Sequence, residues 1–347
     1  MRFFSTLIST LLILVLISCN GSKSDTSPDF LLKVLNKEKK FKQSDTIAFK
    51  IETRKGNPPD SIIYKLKGET VKIADFKLPL KNAPLGKHVF EAVIFRGDEK
   101  VVLNVKLTVL SSIKPKVYSL KIINEYPHDR WAYTQGLEFY GDTLYEGTGR
   151  YEESKLRKTD FKSGEVYQEI ELQDNEFGEG ITILNNKIYQ LTWKNRTGFV
   201  YELNSLKKIK TFPYQQSKEG WGLANNGKKL FKSDGTEKIW FLNAQTLEEE
   251  DYIQVTSNAK IYNKVNELEY VDGKIYANSY QNDGIMIIDA ETGALLGVVD
   301  GRKLKKKVME HPKLDVLNGI AYHPARKTFF LTGKYWNKMF EVTFEEN

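Results

Sequence analysis

One glutamate of this chain stands between two glycines, in Phe177-Gly178-Glu179-Gly180. Glycines on both sides allow close backbone approach, and a carboxylate held in such a place is a candidate base. Its position recurs along the chain. Ten residues before the aromatics Tyr145, Tyr189, Phe231 and Tyr276 stand Gln135, Glu179, Trp221 and Asn266. Four residues after these aromatics, and after Phe330, stand Gly149, Trp193, Gly235, Tyr280 and Lys334. Taken singly, each has a plain explanation: a Trp or Tyr packs a core, a Lys faces solvent, and Asn or Gln beside Gly forms a turn. Packing at one register would favour a repeated small or apolar residue, whereas here Gln, Glu, Trp and Asn follow one another. Gln135, Glu179, Trp193, Trp221, Asn266, Tyr280 and Lys334 therefore form one set of polar and aromatic groups to be brought together.

The elements that must do so are hairpins. Each run reads strand, tight turn, strand, with turns at Gly141-Asp142, Asn185-Asn186, Asn226-Gly227 and Asp272-Gly273, and Asn318 opens a longer fifth run that ends at Phe329-Phe330. The marker aromatics at 145, 189, 231, 276 and 330 are separated by 44, 42, 45 and 54 residues, and a period in the forties built of short strands is a propeller signature. Each repeat continues into a third strand, and all but the last into a fourth. Residues 117–123, ahead of the first repeat, supply the missing outer strand, which closes the ring and leaves no open sheet edge. The expected architecture is an all-β, five-bladed β-propeller with circular closure over residues 116–347. Positions ten before and four after the marker are nearly equidistant from the turn, so they meet at one end of each hairpin and at one mouth of the central channel.

The 347 residues, 28% charged and 40% hydrophobic, suit a globular chain with a substantial core. The formal charge of +7 is spread through lysines along the whole length, with no basic stripe interleaved with aromatics, which argues against nucleic acid as a partner. Residues 1–19 read as a targeting segment: Arg2, a short apolar run over 7–17, then Ser18 and Cys19, the single cysteine. This arrangement resembles a bacterial lipoprotein signal, in which Cys19 is acylated and anchors the protein to the cell envelope, periplasmic or at the cell surface on the outer membrane. Residues 20–29 form a polar tether. Residues 30–110 show short strands with turns between them, the pattern of a small immunoglobulin-like β-sandwich, and 111–115 a linker.

Five motifs in order carry a resemblance: Tyr133-Thr134-Gln135-Gly136-Leu137, Phe177-Gly178-Glu179-Gly180, Gly220-Trp221-Gly222, Asn266-Glu267-Leu268-Glu269-Tyr270 and Thr332-Gly333-Lys334. Over residues 116–347 the chain resembles the plant and bacterial type of glutaminyl-peptide cyclotransferase, or glutaminyl cyclase. The resemblance implies a five-bladed propeller that converts N-terminal glutamine of peptides and proteins to pyroglutamate with release of ammonia. It places the family's catalytic residues on Gln135, Glu179, Asn266 and Lys334, and its pocket aromatics on Phe177, Trp193 and Trp221. Tyr133 stands where the family usually has Phe and Tyr280 where it often has Trp, both still substrate-binding aromatics. On this reading Glu179 moves the proton, Gln135 and Asn266 hold the amide, and Lys334 stabilises the oxyanion. No catalytic metal is required, and His88, His128, His311 and His323 lack zinc-ligand spacing. The resemblance leaves room for a structural calcium ion held by backbone carbonyls in the channel. The rival expectations are a non-catalytic envelope propeller that binds peptide or glycan at the same mouth, and a structural scaffold.

Overall fold

The computed structural model describes residues 29–347 apart from Lys39 and Lys55. The signal segment with Cys19, and the tether up to Pro28, lie outside the described residues. Among the described residues the one helix is the four-residue turn Arg302–Lys305, and everything else regular is strand.

Three sheets are four-stranded antiparallel meanders in chain order. The first holds Thr134–Tyr140, Thr143–Thr148, Lys155–Asp160 and Val166–Glu171; the second runs from Gly178–Leu184 to Lys208–Pro213, and the third from Leu223–Asn225 to Glu249–Gln254. A larger sheet has eight strands. Val265–Val271, Lys274–Ser279, Gly284–Asp289 and Leu295–Asp300 form one half; Lys116–Pro127, Lys338–Glu346, Thr328–Gly333 and Leu317–His323 form the other. The halves join through a parallel contact from Gly297↔Lys116 to Val299↔Tyr118. Lys116–Pro127 also pairs antiparallel with Lys338–Glu346, from Lys338↔Pro127 to Glu346↔Tyr118, so the two ends of this region share one sheet.

Local chemistry sets the inner hairpins. Asn185 and Asn186 both take positive φ, as do Asp272 and Gly273, the geometry that suits the right-handed strand twist in two-residue turns. Between the first and last sheets lies an aromatic cluster. Phe139 meets Phe330 with ring centroids 4.8 Å apart, and Phe161 lies 5.4 Å from Phe139 and 5.3 Å from Phe330. Such pairs add about 0.5–1.5 kcal/mol each beyond area burial. The histidines are structural: His128 bridges Glu146 and Trp336 O, His323 meets Asp142, His88 meets Leu85 O, and His311 meets Tyr335 O.

The N-terminal region has two sheets. Phe30–Val34, Thr46–Thr53 and Lys77–Pro79 make one; Lys40–Lys42, Glu99–Leu110, Gly86–Arg96, Ser61–Leu66 and Glu69–Val71 make the other. Their facing sides share a core of Ile47, Phe49, Leu78, Phe90, Leu107 and Val109. This region docks on the outer strand Glu249–Gln254. The Gln254 side chain takes the Lys87 N–H at 3.0 Å and donates to Lys87 O at 3.2 Å, lying where a side chain at Gly86 would collide with it. Ser111 is fully buried and its N–H donates to Thr256 Oγ1, so the connection out of this region is held rather than loose.

Candidate active site

The inner strands do not run evenly to their ends. In four hairpins the register slips where the site residues stand: between Thr134 and Gly136, Gly178 and Ile181, Val265 and Leu268, and Leu317 and Ile320. Gln135, Glu179, Asn266 and Asn318 lie in these slips. A β-bulge turns a side chain out of the sheet's alternation; here Gln135, Glu179 and Asn266 line a common cavity, and Asn318 stands behind Gln135. The closing hydrogen bond repeats: Gly149 N to Tyr133 O, Trp193 N to Phe177 O, Tyr280 N to Lys264 O, and Lys334 N to Val316 O. Each acceptor precedes the bulge residue by two, which identifies Asn318 as the fifth member of the set. Trp221 departs from the pattern and sits ahead of Leu223–Asn225, with its N–H on Ser233 O.

Bulges are tolerated because the inner strands nearly touch. A Cβ added at Gly136 would lie 2.4 Å from Ile181 N, and one at Gly222 would lie 2.1 Å from Asn266 O. Glu267 holds the corresponding place in the fourth copy. Its carboxyl reaches across to accept Leu137 N at 3.3 Å and Ile320 N at 2.9 Å, tying three inner strands together.

The cavity has a volume of about 200 Å³ and is lined by Tyr133, Gln135, Arg150, Phe177, Glu179, Trp193, Trp221, Asn266, Tyr280 and Lys334. At about 30 Å³ per water this is room for one amino-acid side chain and its amine. All nine residues singled out from the sequence meet here, together with Arg150. Gln135, Glu179, Asn266 and Lys334 are buried, while the aromatic walls other than Phe177 stay partly open.

A directed hydrogen-bond chain sets the polar groups. Asn318 Nδ2 donates to Thr134 O at 2.9 Å and to Gln135 Oε1 at 3.1 Å. With its oxygen so taken, Gln135 presents its NH2 to Glu179 Oε1 at 3.0 Å. Asn266 Oδ1 is buried and has no hydrogen-bond partner. A buried acceptor left open costs free energy unless a ligand fills it.

Burial pushes the Glu179 carboxyl well above its usual range, and Glu219 adds to the push while Lys334 opposes it. Burial also lowers the Lys334 ammonium to about 8, with Glu179 and Asp315 pulling the other way. Lys334 Nζ lies over Tyr133 at 4.4 Å and over Tyr280 at 5.2 Å, so aromatic faces take the place of water around it.

Three contributors escaped the sequence reading. Asn318 was masked by a longer turn that displaces it two residues from the common spacing. Arg150 is exposed at the mouth, and nothing in its motif marks it. Glu219 lies one residue before Gly220-Trp221-Gly222, and its Oε2 accepts both indole N–H groups, Trp193 at 2.8 Å and Trp221 at 2.9 Å. It holds two walls of the cavity at a fixed angle. Glu219→Ala leaves both donors unpaired, and we expect KM for a cavity ligand that is also a substrate to rise about tenfold with kcat little changed. Equal falls in kcat and kcat/KM would refute this positioning role.

Comparison with known proteins agrees with this geometry. Residues 100–344 match the family described as glutamine cyclotransferase. Over 235 residues the chain is 40% identical to a glutaminyl-peptide cyclotransferase of Arabidopsis thaliana, covering 67% of this chain and 73% of that one. The crystal structure of Myxococcus xanthus glutaminyl cyclase superposes with a TM-score of 0.63 at 33% identity, covering 67% of this chain and 100% of that one. The propeller-like sheets that build the cavity, and the matched stretch that contains them, place the chain in the glutamine cyclotransferase family.

Proposed function

We propose that this chain is a glutaminyl-peptide cyclotransferase that closes the N-terminal glutamine of peptides and proteins to pyroglutamate and releases ammonia. One observation carries the reading: a buried carboxyl, a buried amine and an unpartnered amide oxygen converge in a cavity of single-residue size. The substrate brings its own nucleophile, so the site has to fold it, α-amine against the side-chain amide carbon, and little else.

An α-amine has a pKa of about 7.7–8.0 and arrives largely as ammonium at neutral pH. The site takes the neutral fraction of that amine, which grows as pH rises, and burial favours the protonated form of Glu179 beside it. The amine nitrogen then bonds to the amide carbon, and charge develops on the carbonyl oxygen, where the Lys334 ammonium stabilises it. The carbon–nitrogen bond of the carboxamide breaks. Glu179 gives its proton to the leaving nitrogen, which departs as ammonia, and takes the proton lost by the attacking nitrogen in its place, so it ends as it began. Asn266 Oδ1 accepts from the substrate's NH2, and Gln135 keeps Glu179 oriented. Phe177, Trp193, Trp221, Tyr133 and Tyr280 exclude the water that would otherwise hydrolyse the amide to glutamate.

These steps use the chain's own groups. Among the described residues no three His, Cys, Asp or Glu side chains gather as metal ligands, and a calcium ion in the channel would be structural, set by backbone carbonyls. The three meanders and the two halves of the eight-stranded sheet are five blades, closed by Lys116–Pro127, and residues 30–110 are an immunoglobulin-like sandwich that docks rather than catalyses. Cys19 is the lipid anchor, and the enzyme works on the bacterial cell envelope on peptides that reach it there.

Incubating the purified chain with a Gln-initiated peptide tests the function: ammonia appears in step with a peptide lighter by one ammonia. A peptide that binds and stays intact would instead favour a non-catalytic peptide receptor.

A further inference from the structure

Outside the cavity the mouth is uneven. Arg150 stands at its edge, exposed, on a strained backbone at φ 96°, and its guanidinium lies 5.4 Å from the Tyr133 ring. Ser154 Oγ holds its carbonyl at 2.6 Å, so the strain is fixed in place. Beyond Tyr133 lies Tyr335, with ring centroids 5.1 Å apart, and Lys313 Nζ sits 5.9 Å from Tyr335 and 5.6 Å from Trp131. Trp131 is 58% exposed and also meets the Arg130 guanidinium, 4.7 Å from its ring, and the His311 ring, 6.2 Å away between centroids. Arg130 Nε is buried without a hydrogen-bond partner.

Among the described residues none of these three cations has a carboxylate in ion-pairing range. The neighbouring acids are mostly engaged: Asp129 with Arg157 and the Trp131 N–H, Asp315 with Tyr133, and Glu219 with two indoles. Glu153 is the one left acting on Tyr335 beside Asp315. A strip of aromatic faces edged by unpaired cations thus leads away from the cavity on one side. An extended peptide advances about 3.3 Å per residue, so the residues that follow a glutamine held in the cavity can run past Arg150 at its edge and along Tyr335 toward Lys313.

We propose that this strip is the track for the residues that follow the glutamine, and that Arg150 and Lys313 make the enzyme prefer substrates with acidic residues at positions two to four. The proposal rests on the cyclotransferase reading for the placement of the glutamine. Paired with a carboxylate, each exposed cation contributes little, so two of them favour an acidic peptide by about threefold to tenfold over a neutral one. The preference is electrostatic and weakens as salt is added.

The test compares Gln-initiated peptides bearing Glu, Ala or Lys at positions two to four, by kcat/KM and, independently, by tryptophan fluorescence titration, in wild type, Arg150→Leu and Lys313→Glu. The expected order is Glu over Ala over Lys in both readouts, with the Glu-to-Ala ratio reduced in Arg150→Leu and the order of Glu and Lys reversed in Lys313→Glu. Equal binding of the three peptides, or ratios unmoved by both variants, overturns the track. If no peptide is cyclised, the function falls, and the titration alone decides the track.

Discussion

Glu179→Gln should leave a folded protein whose ammonia release from a Gln-initiated peptide is slower by about 10²–10⁴-fold, the range that a positioned acid-base group contributes. The substitution is isosteric, and its amide oxygen can still accept from Gln135, so the cavity keeps its shape. What is lost is the ability to take a proton from the α-amine and hand it to the leaving nitrogen. Stability should not suffer. The carboxyl is buried and held above its usual range, so the folded state already favours an uncharged group there. A neutral amide relieves rather than creates a buried charge, and thermal unfolding of the variant should occur at or above the wild-type midpoint. Turnover close to wild type would remove Glu179 from the mechanism, whereas a collapse in both activity and melting temperature would mark it as a structural residue.

Lys334→Met has the next largest expected effect, and its signature lies in the pH profile. Losing one donor to a developing oxyanion costs about 10²–10³-fold in kcat. Below about pH 8 the wild-type lysine is charged and above it neutral, because burial has brought its pKa down to about 8. Activity that depends on the ammonium must therefore fall as pH rises through that value. The substrate's own α-amine works in the opposite direction, since it becomes nucleophilic as it loses its proton near pH 7.7–8.0. Wild-type kcat/KM should trace a bell with both limbs close to pH 8, and Lys334→Met should keep the rising limb and lose the falling one. A falling limb retained in the variant would belong to some other group. Met fills much of the same volume between Tyr133 and Tyr280, so the walls should hold.

The two residues behind these predictions were both legible from phase alone. A hairpin is local: its turn residues and its alternation fix which positions lie at its open end, whatever the rest of the molecule does. Gln135, Glu179, Asn266 and Lys334 could be placed at one mouth by counting from an aromatic marker, and the cavity brings them together. Counting failed at Asn318, because the turn of that hairpin is longer, and the hydrogen bond from Lys334 N to Val316 O was needed to restore the register.

The bulges were invisible for a different reason. Alternation of residue types predicts an even ladder, and nothing in a single strand announces where its register slips or how closely a neighbouring strand approaches its glycines. The same holds for the contacts that make the site chemical. Asn318 meets Gln135 across 183 residues of chain, and Gln135 meets Glu179 across 44. Glu219 becomes a wall support only when Trp193 and Trp221 point at it together.

Residue types, their repeat and their turn signals were therefore enough for an all-β chain with propeller-like sheets, for the family resemblance and for nine of the residues that line the cavity. The direction of the hydrogen-bond chain, the open oxygen of Asn266, the opposed shifts of Glu179 and Lys334 and the basic strip beside Tyr133 arise only once separate sheets abut. Each depends on desolvation or on a partner supplied by another strand, and neither is encoded at the position where its effect is felt.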